Sequence, residues 1–334
     1  MPSLLISVLA PVFGLVLASW LLARVVALPT RLTAGFQRLT FDWLVPALLF
    51  HTMATVPLPA RFNASVLAAY YLPTLALYGL LFAAMCGAGR AARYANILAL
   101  AGSYSNAVLL GIPLILRAYG DSASAPLFAI VGLHSAAMFF LTTLIHELTG
   151  AHLHLHMRSR IARLLRETST QLLRNPILLA LLAGALVNLL AIPLPAALYA
   201  ITGMCRSLAP YAALIAMGWG LAAYDLRGAR DDAIAVLLCK LVLHPLLVWL
   251  CCIWLLGAHS LDGKQSLDGK QSLDIQPGLE AKVLITLAAL PSGINAYLFA
   301  VRFGAAAAAS ASAILLSTGL SIISLACVMY WLSL

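Results

Sequence analysis

Charged residues are the first thing this chain lacks. Lys, Arg, Asp and Glu together make up 9% of its 334 residues, whereas a water-soluble domain uses about a quarter. Too few are present to cover a water-facing surface, so a soluble fold is excluded. Acids are scarcer than bases, 11 against 20, and the formal net charge is +9. The bases sit in short segments between apolar runs. The excess therefore belongs to membrane topology; nucleic acid is not an expected partner and the lipid bilayer is. Asp121, Glu147, Glu167, Asp225, Asp231, Asp232, Asp262, Asp268, Asp274 and Glu280 all fall in loops or at the ends of runs, and only Asp42 is arguably inside one. Carriers that exchange sodium or protons on carboxylates place them within spans. That chemistry is disfavoured here.

Catalytic and metal motifs are missing too. There is no Gly-x-Ser-x-Gly elbow, phosphate-binding glycine loop or His-Glu-x-x-His, so an enzyme is not expected. The cysteines Cys86, Cys205, Cys239, Cys251, Cys252 and Cys327 have no metal-site spacing and read as small buried hydrophobes. His152, His154 and His156 alternate in a basic loop and read as solvated. No cofactor is expected, with sodium or proton coupling left open.

What the chain has is apolar length. Ten candidate spans lie near 3–27, 33–55, 63–86, 94–117, 123–148, 175–192, 196–222, 231–257, 279–301 and 304–332. The first lacks a basic leader and is too long for a cleaved signal, so it reads as a retained span. Arginines concentrate in alternate connections, which predicts both termini outside a cytoplasmic-type membrane. Five spans per half would give the halves opposite topology. Three ordered echoes support such an inverted repeat: Leu44-Val45-Pro46 with Leu208-Ala209-Pro210, Pro73 with Pro245, and the clusters described next. The halves are 1–148 and 175–334. The linker 149–174 carries Ile161, Leu164, Leu165, Thr168 and Leu172 at helical spacing, which predicts an amphipathic surface helix. The tandem Ser-Leu-Asp-Gly-Lys-Gln from Ser260 to Gln271 is a repeat in a solvated loop, with no function assigned.

The clusters are Ser103-Tyr104-Ser105-Asn106-Ala107-Val108-Leu109 and Ser292-Gly293-Ile294-Asn295-Ala296-Tyr297-Leu298, both Ser-x-x-Asn-Ala-x-Leu. Gly111 and Pro113 adjoin the first, and Pro291 and Gly293 the second. Amides and helix breakers are costly in lipid. Interrupted segments at matching places in two halves point to a secondary carrier's substrate site. A break exposes backbone N–H groups and half-helix dipoles. Asn106 and Asn295 each add two amide donors, and Ser103, Ser105 and Ser292 add hydroxyls. Such a set suits an anion. Tyr297, Val45 and Leu48 are candidates for apolar packing on it. Lys240 and Arg206 lie within spans and could attract the anion; Lys240 could instead pair with Asp42 or cap a carbonyl, and Arg206 could snorkel outward. His51 and His134 could relay protons or simply bond between helices.

At these residues the sequence resembles the auxin efflux carrier family, which includes plant PIN-FORMED exporters and many bacterial carriers. The matching stretches are Leu44–His51, Ser105–Pro113, Asn175-Pro176, Lys240–Pro245 and Ala289–Tyr297. The resemblance implies an all-α fold of ten spans, shared broadly with bile-acid:sodium symporters, in which the broken fourth and ninth spans cross. It implies a scaffold from 1–55 and 175–222 that often dimerises, and a mobile transport domain from 63–148 and 231–334. It also implies organic-anion substrates carried by alternating access. Asn295 follows the bacterial form of the ninth-span motif, and the middle loop is far shorter than that of regulated plant carriers. Alternatives are a sodium-coupled symporter of the bile-acid type and a membrane receptor or assembly subunit without transport.

Overall fold

The computed structural model describes residues 2–26, 28–55, 64–149, 174–222, 230–260 and 278–333, with Arg166 and Thr170 between them. The amphipathic linker helix, the histidine run and the tandem repeat fall outside the described residues.

The described chain is helical. In order it forms α1 (Pro2–Val26), α2 (Thr30–Arg38), α3 (Val45–Thr55), α4 (Ala64–Gly87), α5 (Ala92–Ser103), α6 (Ile112–Tyr119) and α7 (Ser124–Thr149). Then come α8 (Pro176–Leu189), α9 (Ala196–Ala222), α10 (Arg230–Leu238), α11 (His244–Ser260), α12 (Leu279–Ala289), α13 (Asn295–Arg302) and α14 (Ala307–Ser333). Six uninterrupted stretches are long and apolar enough to cross a membrane: Ser7–Val26, Ala64–Gly87, Asp121–Thr149, Ala196–Ala222, Asp231–Gly257 and Ala307–Leu332. The others are shorter. α8, at 14 residues, extends only about 21 Å, less than a bilayer's hydrocarbon core.

Proline explains where the ladder changes. π-helical turns at Leu39–Leu44, Ala107–Gly111 and Cys239–Leu243 each end two residues before Pro46, Pro113 or Pro245. The residue just before each proline bonds five residues back: Val45 to Thr40, Ile112 to Ala107 and His244 to Cys239. A proline has no N–H to give and its ring crowds the carbonyl four residues earlier, so the turn widens. Pro73 and Pro210 behave differently. α4 and α9 continue as α-helix through these prolines, so Pro73 does not interrupt the third span as Pro245 interrupts the eighth. Proline alone does not decide the outcome.

α1 packs along α9, and α3 lies between α8 and α9. Gly184 makes the α3–α8 approach possible: a Cβ there would stand 2.5 Å from the Phe50 carbonyl and 2.9 Å from Met53 Cβ. Asn188 Nδ2 donates to Met53 O at 2.9 Å across the same seam. A second set of helices packs around α5 and α12. α4 runs against α5 and α11, α11 against α12, and α10 and α13 against α14. Every residue of α5 from Ala95 to Ser103 is buried, as is every residue of α12 from Val283 to Ala289. Helices apolar on all sides belong in the interior. These two half-helices therefore lead into the centre of the protein, where amides find protein partners.

Candidate substrate site

The two interrupted helices stop at the same place. Tyr104 at the end of α5 and Leu290 at the end of α12 are extended, and Leu290 precedes Pro291, which disfavours helix there. Ser105 and Ser292 form an isolated antiparallel bridge. The Asn106 N–H donates to Pro291 O at 3.0 Å, and the Gly293 N–H to Tyr104 O at 2.9 Å. Each break satisfies backbone groups of the other.

Side chains complete the junction. Ser105 N–H donates to His134 Nε2 at 3.1 Å, and Tyr70 donates to Ser105 Oγ at 3.1 Å. Ser292 N–H donates to Ser317 Oγ at 3.1 Å, while Ser292 Oγ donates to Ala101 O at 2.7 Å. Ser103 Oγ donates to Ala99 O at 2.7 Å. The Tyr104 ring stacks on His134 with centroids 4.6 Å apart.

On one side of this junction opens a cavity of about 510 Å³, lined by Ser105, Asn106, Val108 and Leu109 from the first break region and Ile294, Asn295 and Leu298 from the second. Its other walls include Gln37, Phe41, Asp42, Tyr104, Ser135, Phe139, Asn175 and Gly220. Asn295 Nδ2 donates to the Tyr104 hydroxyl at 2.9 Å, and that hydroxyl is 2.8 Å from Ser135 Oγ. Among the described residues Asn106 Nδ2 meets only the weak acceptor Met217 Sδ, at 3.5 Å. Asn175 caps α8, accepting from Ile177 N at 3.0 Å and Leu178 N at 3.4 Å. A cavity of this size, mostly apolar with a few convergent polar groups, has the form of a small-molecule site.

The structure divides the sequence candidates. Asn106, Asn295, Ser105 and Asp42 line the cavity. Ser103 and Ser292 do not, since their hydroxyls bond backbone carbonyls. Val45 and Leu48 are buried in the core, and Tyr297 packs against that core rather than on the cavity wall; Leu298 takes the place expected of it. Gly111 and Pro113 bound the π turn, while the break itself comes at Tyr104–Asn106. Pro291 and Gly293 do lie in the second break.

Lys240 is fully buried and lines neither polar cavity; it bonds Ala288 O and His244 rather than Asp42. Arg206 faces a second cavity of about 810 Å³, beside Pro11, Val12 and Leu15 of α1, where it pairs with Asp121. His51 lines the same cavity, with Nδ1 2.8 Å from Thr202 Oγ1. Gln37, Ser135 and Tyr104 are cavity residues that sequence reasoning missed. Tyr104 lay inside the quoted motif; Gln37 and Ser135 carry no signal of their own.

A family model described as "Membrane transport protein" matches residues 4–329, and this chain belongs to that family. It is the family of the auxin efflux carriers, as the motifs implied. The chain is 24% identical over 321 residues to a protein of Rhizobium meliloti (strain 1021) named "Putative malonate transporter", covering 96% of this chain and 93% of that one.

Gly293 tests the junction. A Cβ there would overlap the Tyr104 ring and approach Ser105 O to 3.2 Å, whereas at Gly111 its close contacts would be the flexible ends of Leu290, at 2.8 Å, and Leu287, at 3.2 Å, with Ala107 Cβ at an ordinary 3.7 Å. Gly293→Ala is expected to destabilise the protein by about 1–3 kcal/mol, as overpacking does. Gly111→Ala should be milder. Thermal melts of both in detergent check the order.

Proposed function

We propose that this protein is a secondary carrier of small organic carboxylates, which it holds against Asn106 and Asn295 and moves by alternating access. The observation that carries the reading is the meeting of two helix breaks, which brings both amides to one cavity. Each amide N–H is a strong donor to a carboxylate, and desolvated charge-assisted bonds of this type contribute about 1.5–3 kcal/mol each. The relative's name makes malonate the first substrate to try.

The packing supports a moving body as well. In this reading 1–55 and 175–222 form a scaffold, and 63–148 with 231–334 carry the substrate, the two broken helices crossing within that body. The groove between α1 and α14 is lined by apolar side chains such as Leu9, Phe13, Leu17, Leu315 and Ile322, a surface suited to sliding. At the other face two polar ties join the bodies: Arg206 to Asp121, and Arg117 Nε to Ser7 O at 2.9 Å. These ties join the two bodies beside the second cavity, on whose wall Arg117, Asp121 and Arg206 stand. The five-plus-five inverted repeat gives the two opposite openings equivalent geometry.

Asn106→Ala and Asn295→Ala are each expected to weaken malonate binding by about tenfold or more, with little loss of thermal stability for Asn106→Ala, whose only protein partner is a thioether. Asp42 is exposed on the cavity wall and repels an incoming anion through water. Asp42→Asn should tighten binding by about two- to fivefold at low salt, and the gain should shrink as salt screens it. Equilibrium binding and liposome uptake read both effects. Wild-type behaviour of the two asparagine variants would overturn the site.

A further inference from the structure

Behind the junction lies a buried polar chain that the carriage of an anion does not use. Thr74 has one hydroxyl proton, donated to the Tyr70 carbonyl at 2.6 Å. Its oxygen, 2.8 Å from His244 Nε2, therefore accepts, and Nε2 bears a hydrogen. A neutral imidazole in that tautomer has its lone pair on Nδ1. Lys240 Nζ stands 3.0 Å from that nitrogen and donates to Ala288 O at 2.6 Å. Ala288 lies at the carbonyl end of α12, where the helix dipole favours a cation.

Lys240 and His244 are fully buried, and no carboxylate among the described residues forms an ion pair with either. The groups facing them from packed helices are Thr74 and Tyr70 of α4, His134 of α7 and the Ala288 carbonyl of α12. None of these supplies a negative charge. The geometry limits how many protons the pair holds. Either an ammonium or a neutral amine can donate to Nδ1, but a second proton would set two donors against each other across 3.0 Å. The pair therefore carries one extra proton or none.

A single buried charge without a counter-charge is unfavourable, so its presence depends on any anion placed nearby. The cavity is the place for one. The Tyr70 ring packs on His244 with centroids 5.7 Å apart, and its hydroxyl donates to Ser105 on the cavity wall. We propose that Lys240 and His244 form a one-proton site coupled to the anion cavity, so that each carboxylate carried takes a proton with it. This rests on the carboxylate reading of the cavity. Coupling is reciprocal: a filled proton site strengthens anion binding, by up to about tenfold per pH unit lowered across the range in which the pair titrates.

The experiment counts protons. Malonate binding to the purified full-length protein is measured by calorimetry near pH 7.5 in buffers of differing ionisation enthalpy, with Kd followed between about pH 6.5 and 8. Wild type is expected to take up close to one proton per malonate and to bind more tightly as pH falls. Lys240→Met is expected to bind malonate with no proton uptake and a flat pH profile. Wild-type binding without proton uptake, or uptake unchanged in Lys240→Met, overturns the coupling site while leaving the carboxylate reading intact. If Lys240→Met does not fold, the wild-type count decides alone. No binding heat from malonate or other short mono- and dicarboxylates overturns the carboxylate reading, and this inference with it.

Discussion

A helix interrupted inside a membrane must find partners for the backbone groups it frees, since lipid offers none and each orphan costs several kcal/mol. Here the two interruptions supply each other. Asn106 N–H to Pro291 O and Gly293 N–H to Tyr104 O close a two-bond bridge around Ser105 and Ser292. The remaining groups are met by His134, Ser317 and the Ser292 hydroxyl. Much else follows. α5 and α12 must be buried because they deliver the broken ends to each other, and Gly293 must lack a side chain because Tyr104 lies against it. With the backbone satisfied in this way, the Asn106 amide is left with only a thioether and is available to a ligand.

The division of polar groups across the junction has an electrostatic logic. The cavity side presents neutral donors, Asn106, Asn295, Tyr104 and Ser135, with Asp42 as its acidic group. The hidden side holds Lys240 and two histidines without an acid. In the proposed reading, the positive site set one side chain behind the cavity, separated by Tyr70, is what attracts a carboxylate to the neutral donors.

Much of the fold was legible because its signals are additive. Six of the ten apolar runs coincide with helices long enough to span among the described residues, and two copies of Ser-x-x-Asn-Ala-x-Leu mark the two breaks. The misreadings share one cause. Pro73 and Pro245 look alike in sequence, yet only the latter follows a π turn. Ser103 and Ser292 look like ligand groups beside Ser105, yet they return to carbonyls of their own surroundings. Tyr297 resembles a binding aromatic, yet helical geometry turns Leu298 to the cavity instead. Which side of a helix meets which neighbour is settled by packing between distant segments. For the same reason His244 and Thr74, 170 positions apart, could not be connected by reading the chain.

The bridge between the breaks can be tested by covalent capture. Ser105 and Ser292 form the non-hydrogen-bonded type of antiparallel pair, whose Cα atoms lie about 4.5 Å apart, within reach of a disulfide. With the six native cysteines replaced, the double variant Ser105→Cys/Ser292→Cys is predicted to form an intramolecular disulfide on mild oxidation, read by mass spectrometry after proteolysis. Two thiols that stay free and open to alkylation in the folded protein would contradict the account.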